Sequence, residues 1–478
     1  MDTLDAEFLH LEDGIAHMHI GAACLFADPA PSFDDVAGMI AAKLHLIPRY
    51  RQRVRSVPLE LGRPLWIDDP HFNLAYHLRH TALPAPGDDA TFCRLMGQIM
   101  SQPLDRDRPL WETWLVEGLE GGHWALVPKV HHCMVDGIAG VELLRVMLDL
   151  NADTKVAVPE PWESEPEPSG AAKVLDAWAG LATDVIAITH RLPRAIAHPA
   201  ATIRSAIGTV RGFARFAGDL GATPPLSIEG TISPHRTWAH SSASLADVQA
   251  IRAVFAGTIN DVVLAAVSGG YRELLLSRGE DADRAIVRSL VPVSTRHDEG
   301  PGGSGNRASA LLYNLPVQIA DPVERLEVVH EQMTELRASH MAEAGEAVTA
   351  IGNLAPPMVV GPLSRMVVRA IHRLPQRSVN TVTTNVPGPQ FPLYCLGREM
   401  LEYHPFVPIS HGVRVSTAIL SYNGRLFFGI TGDYATAPDV DVLALATSAG
   451  IEQLLERALS QPRKSRSATA RPETRGSA

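Results

Sequence analysis

The chain has 478 residues, enough for two or three domains, and its 46% hydrophobic against 20% charged residues is the balance of a soluble globular protein. A formal net charge of −11 gives no electrostatic basis for nucleic-acid binding, although a local basic patch could still hold a polyanionic substrate. Cys24, Cys93, Cys133 and Cys395 lie far apart, without metal-site or redox spacing, and fit a reduced cytosolic setting.

The start, Met-Asp-Thr-Leu-Asp-Ala-Glu, lacks the basic opening and apolar core of a signal peptide. No apolar run approaches the roughly 18 residues of a spanning helix, so membrane association is expected to be peripheral. In chain order, residues 19–26 are short, apolar and rich in small residues, and predict a strand. Residues 123–130 predict a second strand that runs into His131 and His132. From 137 to 150 apolar residues recur at 138, 141, 144, 147 and 148, which is helical spacing. Residues 1–150 therefore form a first mixed unit.

Pro159, Pro161, Pro166 and Pro168 among glutamates mark 151–170 as a linker. From 171 to 217 Lys173, Arg191, Arg194, Arg204, Arg211 and Arg215 interleave with apolar residues, opposed only by Asp176 and Asp184. This predicts basic amphipathic helices, broken at Pro193 and Pro199. They would either touch lipid or pack on the protein with a solvated basic side.

A second mixed unit spans 235–460. Helices are predicted at 245–255, 260–278, 323–338, 440–458 and, with breaks at Pro356 and Pro362, 344–371. Strands are predicted at 285–293, 308–317, 379–384, 413–421 and 425–432, the last two joined by an Asn423-Gly424 hairpin turn. The tail, 461–478, has no apolar periodicity and reads as disordered and basic.

The chemistry concentrates at residues 131–137, His-His-Cys-Met-Val-Asp-Gly, between a strand and a helix. An imidazole titrates near neutral pH and can take a proton from a hydroxyl or amine. Neighbours on a strand face opposite sides, so one histidine can act as base while the other is structural. Asp136 would either accept from an imidazole or anchor the loop through an arginine, and Gly137 gives the turn room. The His/Asp pair is under-liganded for zinc, so no metal is expected. Cys133 reads as a small apolar filler. No Gly-x-Ser-x-Gly elbow or Walker loop occurs, and Gly300 to Gly305, spelling Gly-x-Gly-x-x-Gly, leads into a strand where a dinucleotide site would open a helix.

The segment HHCMVDGIAG resembles the HHxxxDG signature of the coenzyme-A-dependent acyltransferases, a superfamily that includes peptide-synthetase condensation domains. DAEFLHLED with HMHIG (5–13, 17–21), RPLWE (108–112), NDVVLA (260–265), VPVSTR with GN (291–296, 305–306) and TNVPGP (384–389) narrow the resemblance. Together, in this order, they are similar to the bacterial wax ester synthase/diacylglycerol acyltransferase family. Two positions depart from its pattern: His17 stands where Pro is common, and Cys-Met fills the motif interior.

The resemblance implies an α/β (α+β) fold of two chloramphenicol-acetyltransferase-like halves around a central cleft. It implies an O-acyltransferase that moves a long-chain acyl group from acyl-CoA to diacylglycerol, with His132 as general base and no covalent intermediate. It pairs Asp136 with Arg296, with His131 and Gly137 as support, and sets Asn260 near the reacting carbonyl. Asn260 reads alternatively as a helix N-cap. Pro109, Leu110 and Trp111 would line or brace the cleft, and Asn385, Pro387 and Gly388 would shape a loop beside it. Acyl-CoA is a co-substrate, and no resident cofactor is expected. The location implied is cytoplasmic, peripheral on the membrane's inner face or on lipid droplets. The alternatives are a wax ester synthase, transfer to another lipid or polyketide alcohol, and an idle lipid-surface protein.

Overall fold

The structure is a computed structural model that describes residues 1, 3–58, 63–135, 137–172, 224–294, 308–338 and 379–461. The first part runs α1 (Thr3–Leu11), β1 (His19–Phe26), α2 (Phe33–Lys43), β2 (Gln52–Arg55), β3 (Leu65–Asp68), α3 (Leu74–His77), β4 (Leu78–Ala82), α4 (Asp89–Ser101), β5 (Trp111–Glu117), β6 (Trp124–His131) and α5 (Gly137–Met147). The second runs β7 (Glu229–Gly230), β8 (Arg236–Ser244), α6 (Leu245–Phe255), α7 (Ile259–Ser277), β9 (Val287–Ser294), β10 (Ala308–Leu315), α8 (Pro322–Ala338) and β11 (Thr381–Val386). It continues through β12 (Tyr394–Cys395), β13 (Arg398–Phe406), β14 (Gly412–Val413), β15 (Val415–Tyr422), β16 (Arg425–Asp433) and α9 (Val440–Ser460). The basic stretch beyond Ala172, the expected helix at 344–371, the Gly300–Gly305 loop and the tail after Gln461 lie outside the described residues.

Two six-stranded mixed sheets organise the molecule, as the implied fold required. The first has the order β12-β13-β1-β6-β5-β4 and the second β10-β9-β11-β15-β16-β8. Side-chain alternation along β6 explains the layering of the first. Trp124, Leu126 and Val130 face the cluster made with α2 and α5, while Ala125 and Val127 face the one made with α4. Lys129, on the α4 side, is fully buried; its ammonium donates to Ile99 O (2.9 Å) and Gln102 O (2.5 Å) at the C-terminal end of α4. In the second sheet Ile419, Phe428 and Ile430 pack under α6, α7, α8 and α9. Tyr271 of α7 ties this layer to the sheet through hydroxyl bonds to Thr381 (2.5 Å) and Thr417 (3.1 Å).

The halves interlock rather than abut. Strand β13 comes from the C-terminal part of the chain yet completes the first sheet, pairing antiparallel with β1 from Gly21↔Phe406 to Phe26↔Met400. From the other side α4 lies on β8, where Arg236 N–H donates to Ser101 Oγ (2.8 Å) and the Arg236 guanidinium to Ile15 O (2.5 Å). Among the described residues no single helix is long and apolar enough to cross a membrane. Only the bent α6–α7 pair passes on length and composition, at 102°, and α7 is core.

The sheets approach tightly at Gly429 of β16, where a Cβ would stand 1.7 Å from Pro405 O of β13. No rotamer relieves a backbone clash, so Gly429→Ala must part the sheets. It should destabilise the protein by about 1–3 kcal/mol, read as a lower denaturation midpoint, and an unchanged midpoint would contradict the close approach.

Candidate active site

Strand β6 ends on the first histidine. His131 N–H donates to Leu110 O (2.9 Å), and the chain then turns, with Met134 N–H donating to His131 O (2.9 Å). His132 thus sits in a turn rather than on the strand, which differs from the expectation that both histidines share the strand and face opposite ways. Its N–H reaches back to Met18 O (2.8 Å) just before β1, and its half-buried imidazole stacks flat on Phe8 of α1 (3.9 Å between ring centres, 14°). One ring is shielded on a face, while its neighbour is enclosed: His131 is fully buried.

Glu12 at the end of α1 organises both. Its Oε2 accepts from Arg106 Nε (3.0 Å) and Nη2 (2.6 Å) and lies 3.4 Å from His131 Nε2. Its Oε1 accepts from Met18 N–H (3.2 Å), the residue whose carbonyl holds His132. Cys133 N–H donates to His131 Nδ1 (3.1 Å), so that nitrogen is an acceptor and the ring proton sits on Nε2, facing Glu12. In this tautomer the one acceptor nitrogen of His131 is taken up by a backbone N–H. Burial would raise the Glu12 pKa, but His131 and Arg106 outweigh it and hold the carboxyl at about 2.

The other groups nearby are buried and neutral or capped. Burial and the buried cation Arg236 lower the pKa of His17, the residue standing where the family commonly has Pro. Burial, with Lys129 beside it, holds His19 well below the usual histidine range, and its Nε2 bonds Met100 O (2.7 Å). Lys129 itself is lowered by burial to about 8. Burial pushes the Cys133 thiol up, and the side chain packs with Leu9, Leu104 and Leu110, so it fills space as expected.

Pro109, Leu110 and Trp111 are all buried. Trp111 is sandwiched between Tyr50 (4.3 Å) and His77 (4.6 Å) and donates to Tyr50 O (2.8 Å). With both ring faces covered it braces β6 and has no face left for an acyl chain.

In the other half the N-cap alternative for Asn260 fails. Thr258 caps α7, in a reciprocal capping box with Asp261 (3.2 and 2.8 Å). Asn260 instead accepts on Oδ1 from Asn385 Nδ2 (3.0 Å) at the end of β11, an encounter that spacing did not predict. Next to Asn385, Val386 packs into the same apolar cluster as Met134 and Val135, which follow His132. Gly388 lies where a Cβ would meet Ser421 O at 2.1 Å, so it shapes this loop by close approach, whereas Pro387 is exposed. Gly137 opens α5. Asp136 and Arg296 lie outside the described residues.

Sequence reasoning missed Phe8, Glu12 and Arg106 as parts of the site. A glutamate at the end of an apolar helix was the available signal, but its partner is 94 residues away. Because the Glu12 carboxyl is depressed from 4.5 to about 2, its ionic contribution is complete above pH 4.5 and fades as pH falls toward 2. Glu12→Gln should destabilise by on the order of 2–3 kcal/mol at neutral pH, with the gap to wild type closing in acid. Denaturant midpoints between neutral pH and pH 3 measure this, and a pH-independent gap would refute the assignment.

Two family models match the chain in order. The wax ester synthase/diacylglycerol acyltransferase catalytic domain covers residues 1–263, and the WS/DGAT C-terminal domain covers 304–454. A probable diacylglycerol O-acyltransferase of Mycobacterium tuberculosis is 36% identical over 468 residues, with 97% of each chain covered. A solved wax ester synthase/diacylglycerol acyltransferase from Marinobacter aquaeolei VT8 superposes with a TM-score of 0.67 at 24% identity, over 95% of this chain and 98% of that one. The first condensation domain of the calcium-dependent antibiotic synthetase shares the fold at a TM-score of 0.57 and 16% identity, over 95% of each chain. Two models spanning most of the chain and a full-length relative at this identity agree with the interlocked sheets and the HHxxxDG turn: the chain belongs to the wax ester synthase/diacylglycerol acyltransferase family of acyltransferases.

Proposed function

We propose that the protein transfers a long-chain acyl group from acyl-CoA to the free hydroxyl of diacylglycerol, forming triacylglycerol, with His132 as general base. The observation that carries this is the division between the twin histidines. His131 is buried with its acceptor nitrogen occupied, and His132 is displayed on a turn, half-buried and stacked on Phe8. His132 takes the acceptor's hydroxyl proton, and the oxygen attacks the thioester carbonyl. The tetrahedral adduct expels CoA thiolate, which receives the proton back from His132. The thioester is already activated and thiolate departs readily, so the reaction needs no acyl-enzyme; the buried, high-pKa Cys133 is unsuited to form one.

Asn260 stabilises the developing oxyanion through its amide NH₂. Asn385 supports this by occupying Asn260 Oδ1, which fixes the amide's orientation. The relatives named diacylglycerol O-acyltransferase favour a diacylglycerol acceptor. A long-chain alcohol is the second reading, because the matching family model also bears the name wax ester synthase. Such substrates reside in lipid, so the protein works peripherally on a membrane or lipid droplet.

His132→Ala should lower triacylglycerol formation from palmitoyl-CoA and diacylglycerol by about 10²–10⁴-fold. Thiol release by a folded variant at wild-type rate would end the general-base assignment. Asn260→Ala should cost roughly 3 kcal/mol in kcat, and Asn385→Ala less. In the double variant the Asn385 change should add little to the first, since it acts through Asn260; fully additive losses would show that Asn385 has a separate role.

A further inference from the structure

Residues 49–55, Arg-Tyr-Arg-Gln-Arg-Val-Arg, carry four arginines and no acid, and residues 156–168 carry Glu160, Glu163, Glu165 and Glu167 with Trp162. The second segment reads as a linker by composition, but in the structure it lies across the first. Trp162 sits on the Arg51 guanidinium (4.7 Å) with its edge toward Phe72 (6.2 Å, 81°). Glu167 pairs with Arg53 (3.2 Å), Glu160 approaches His45 (3.9 Å), and Glu165 N–H donates to Asp68 (3.1 Å).

The basic strip backs directly onto the active-site turn. Val54 of β2 and its cross-strand partner Trp66 pack against Leu9, Leu110 and Cys133. Arg53 and Arg55 therefore point to the opposite face, where Arg53 lies between the buried Asp69 (3.9 Å) and Glu167 of the strap. Arg55 pairs there with the largely exposed Asp107 (2.8 Å). Arg51 is the unexplained group. It is only 8% exposed, its Nε is buried without a hydrogen-bond partner, and among the described residues its side chain makes no ion pair. A buried guanidinium offering unused donors in a planar fork matches a phosphate better than an indole ring.

We propose that this arginine strip is a phosphate-binding site for the nucleotide portion of the acyl-CoA donor, and that the strap occupies it in cis. The strap resembles that ligand chemically: a flat aromatic ring over Arg51, flanked by anionic groups. Its ion pairs are mostly solvent-exposed, hence individually weak and displaceable by a polyphosphate making several charge-assisted bonds at once. Displacement also links donor binding to release of the segment leading into the second half of the chain. The inference rests on the acyl-CoA reading above.

The test is calorimetric binding of CoA to the full chain at fixed ionic strength, with pantetheine, which carries no phosphate, as comparison. Arg51→Gln with Arg53→Gln should weaken CoA binding by about tenfold or more and leave pantetheine unaffected. Replacing Glu160, Glu163, Glu165 and Glu167 by Gln should tighten CoA binding by roughly threefold, since a competitor is removed. CoA should also speed cleavage of the wild-type strap by a glutamate-specific protease. If the arginine variant fails to fold, the strap variant and the protease assay decide alone. Unchanged CoA affinity in folded arginine or strap variants would overturn the site, even with turnover intact. So would loss of binding to phosphatidylglycerol vesicles in the arginine variant while CoA affinity stays the same. Wild-type protein that binds no CoA would overturn the donor reading itself.

Discussion

The site depends on one buried carboxylate. Glu12 is held ionised by Arg106 and by the His131 Nε2 proton, and its second oxygen fastens the Met18 amide. Through His131 it anchors the end of β6, and through Met18 it fixes the carbonyl that receives His132 N–H. A single group thus bears on the tautomer of the buried histidine and on the backbone position of the half-buried one. Such a cluster is stable only when complete, because a buried charge stripped of its partner is costly. That demand joins α1, the loop carrying Arg106 and the HHxxxDG turn, three segments far apart in sequence, into one unit.

A second constraint acts between the halves. His132, on the turn after β6, and Asn260, on α7 over the second sheet, keep a fixed relation only if the two sheets do. Strand exchange supplies this more firmly than surface packing would. Strand β13 makes its hydrogen bonds in the first sheet while β11 and β15, on either side of the β12–β14 stretch, belong to the second, and β16 meets it at a glycine with no room for a side chain. Arg236 adds charge-assisted bonds from β8 to the loop before β1. Val386, next to Asn385, packs into the same apolar cluster as Met134 and Val135 beside the His132 turn.

What the sequence disclosed followed how local each signal is. Helix 245–255, the hairpin at Asn423 and Gly424, where φ is positive at both residues, and the closing helix from Val440 were readable because periodicity and turn chemistry act over a few residues. The strand and helix flanking the HHxxxDG segment were readable because they follow one another in a short space. The segment's finer geometry was not: nothing local says that the strand stops at His131, since that depends on Leu110 and Met18. Nor does Arg-Glu-Met-Leu-Glu-Tyr-His-Pro-Phe say which sheet it will join, because β pairing is a long-range choice. Asn260 looked like a cap until Thr258, two residues earlier, proved to hold that role.

The electrostatic surroundings set the histidines around the turn apart from one another. His17 and His19 are kept from charging by burial and by the nearby cations Arg236 and Lys129, and those cations are occupied with backbone carbonyls at the end of α4 and before β1. His131 has its acceptor nitrogen closed by Cys133 N–H. The His132 ring, by contrast, lies against the apolar face of Phe8. A polar neighbour in that stack would compete for its hydrogen bonds, and a charged one would bias its protonation. Phe8 does neither. It restricts the ring's rotation at little electrostatic cost, and the proposed general-base role needs that restraint, because the ring would have to be in place for the hydroxyl and then for the departing thiolate.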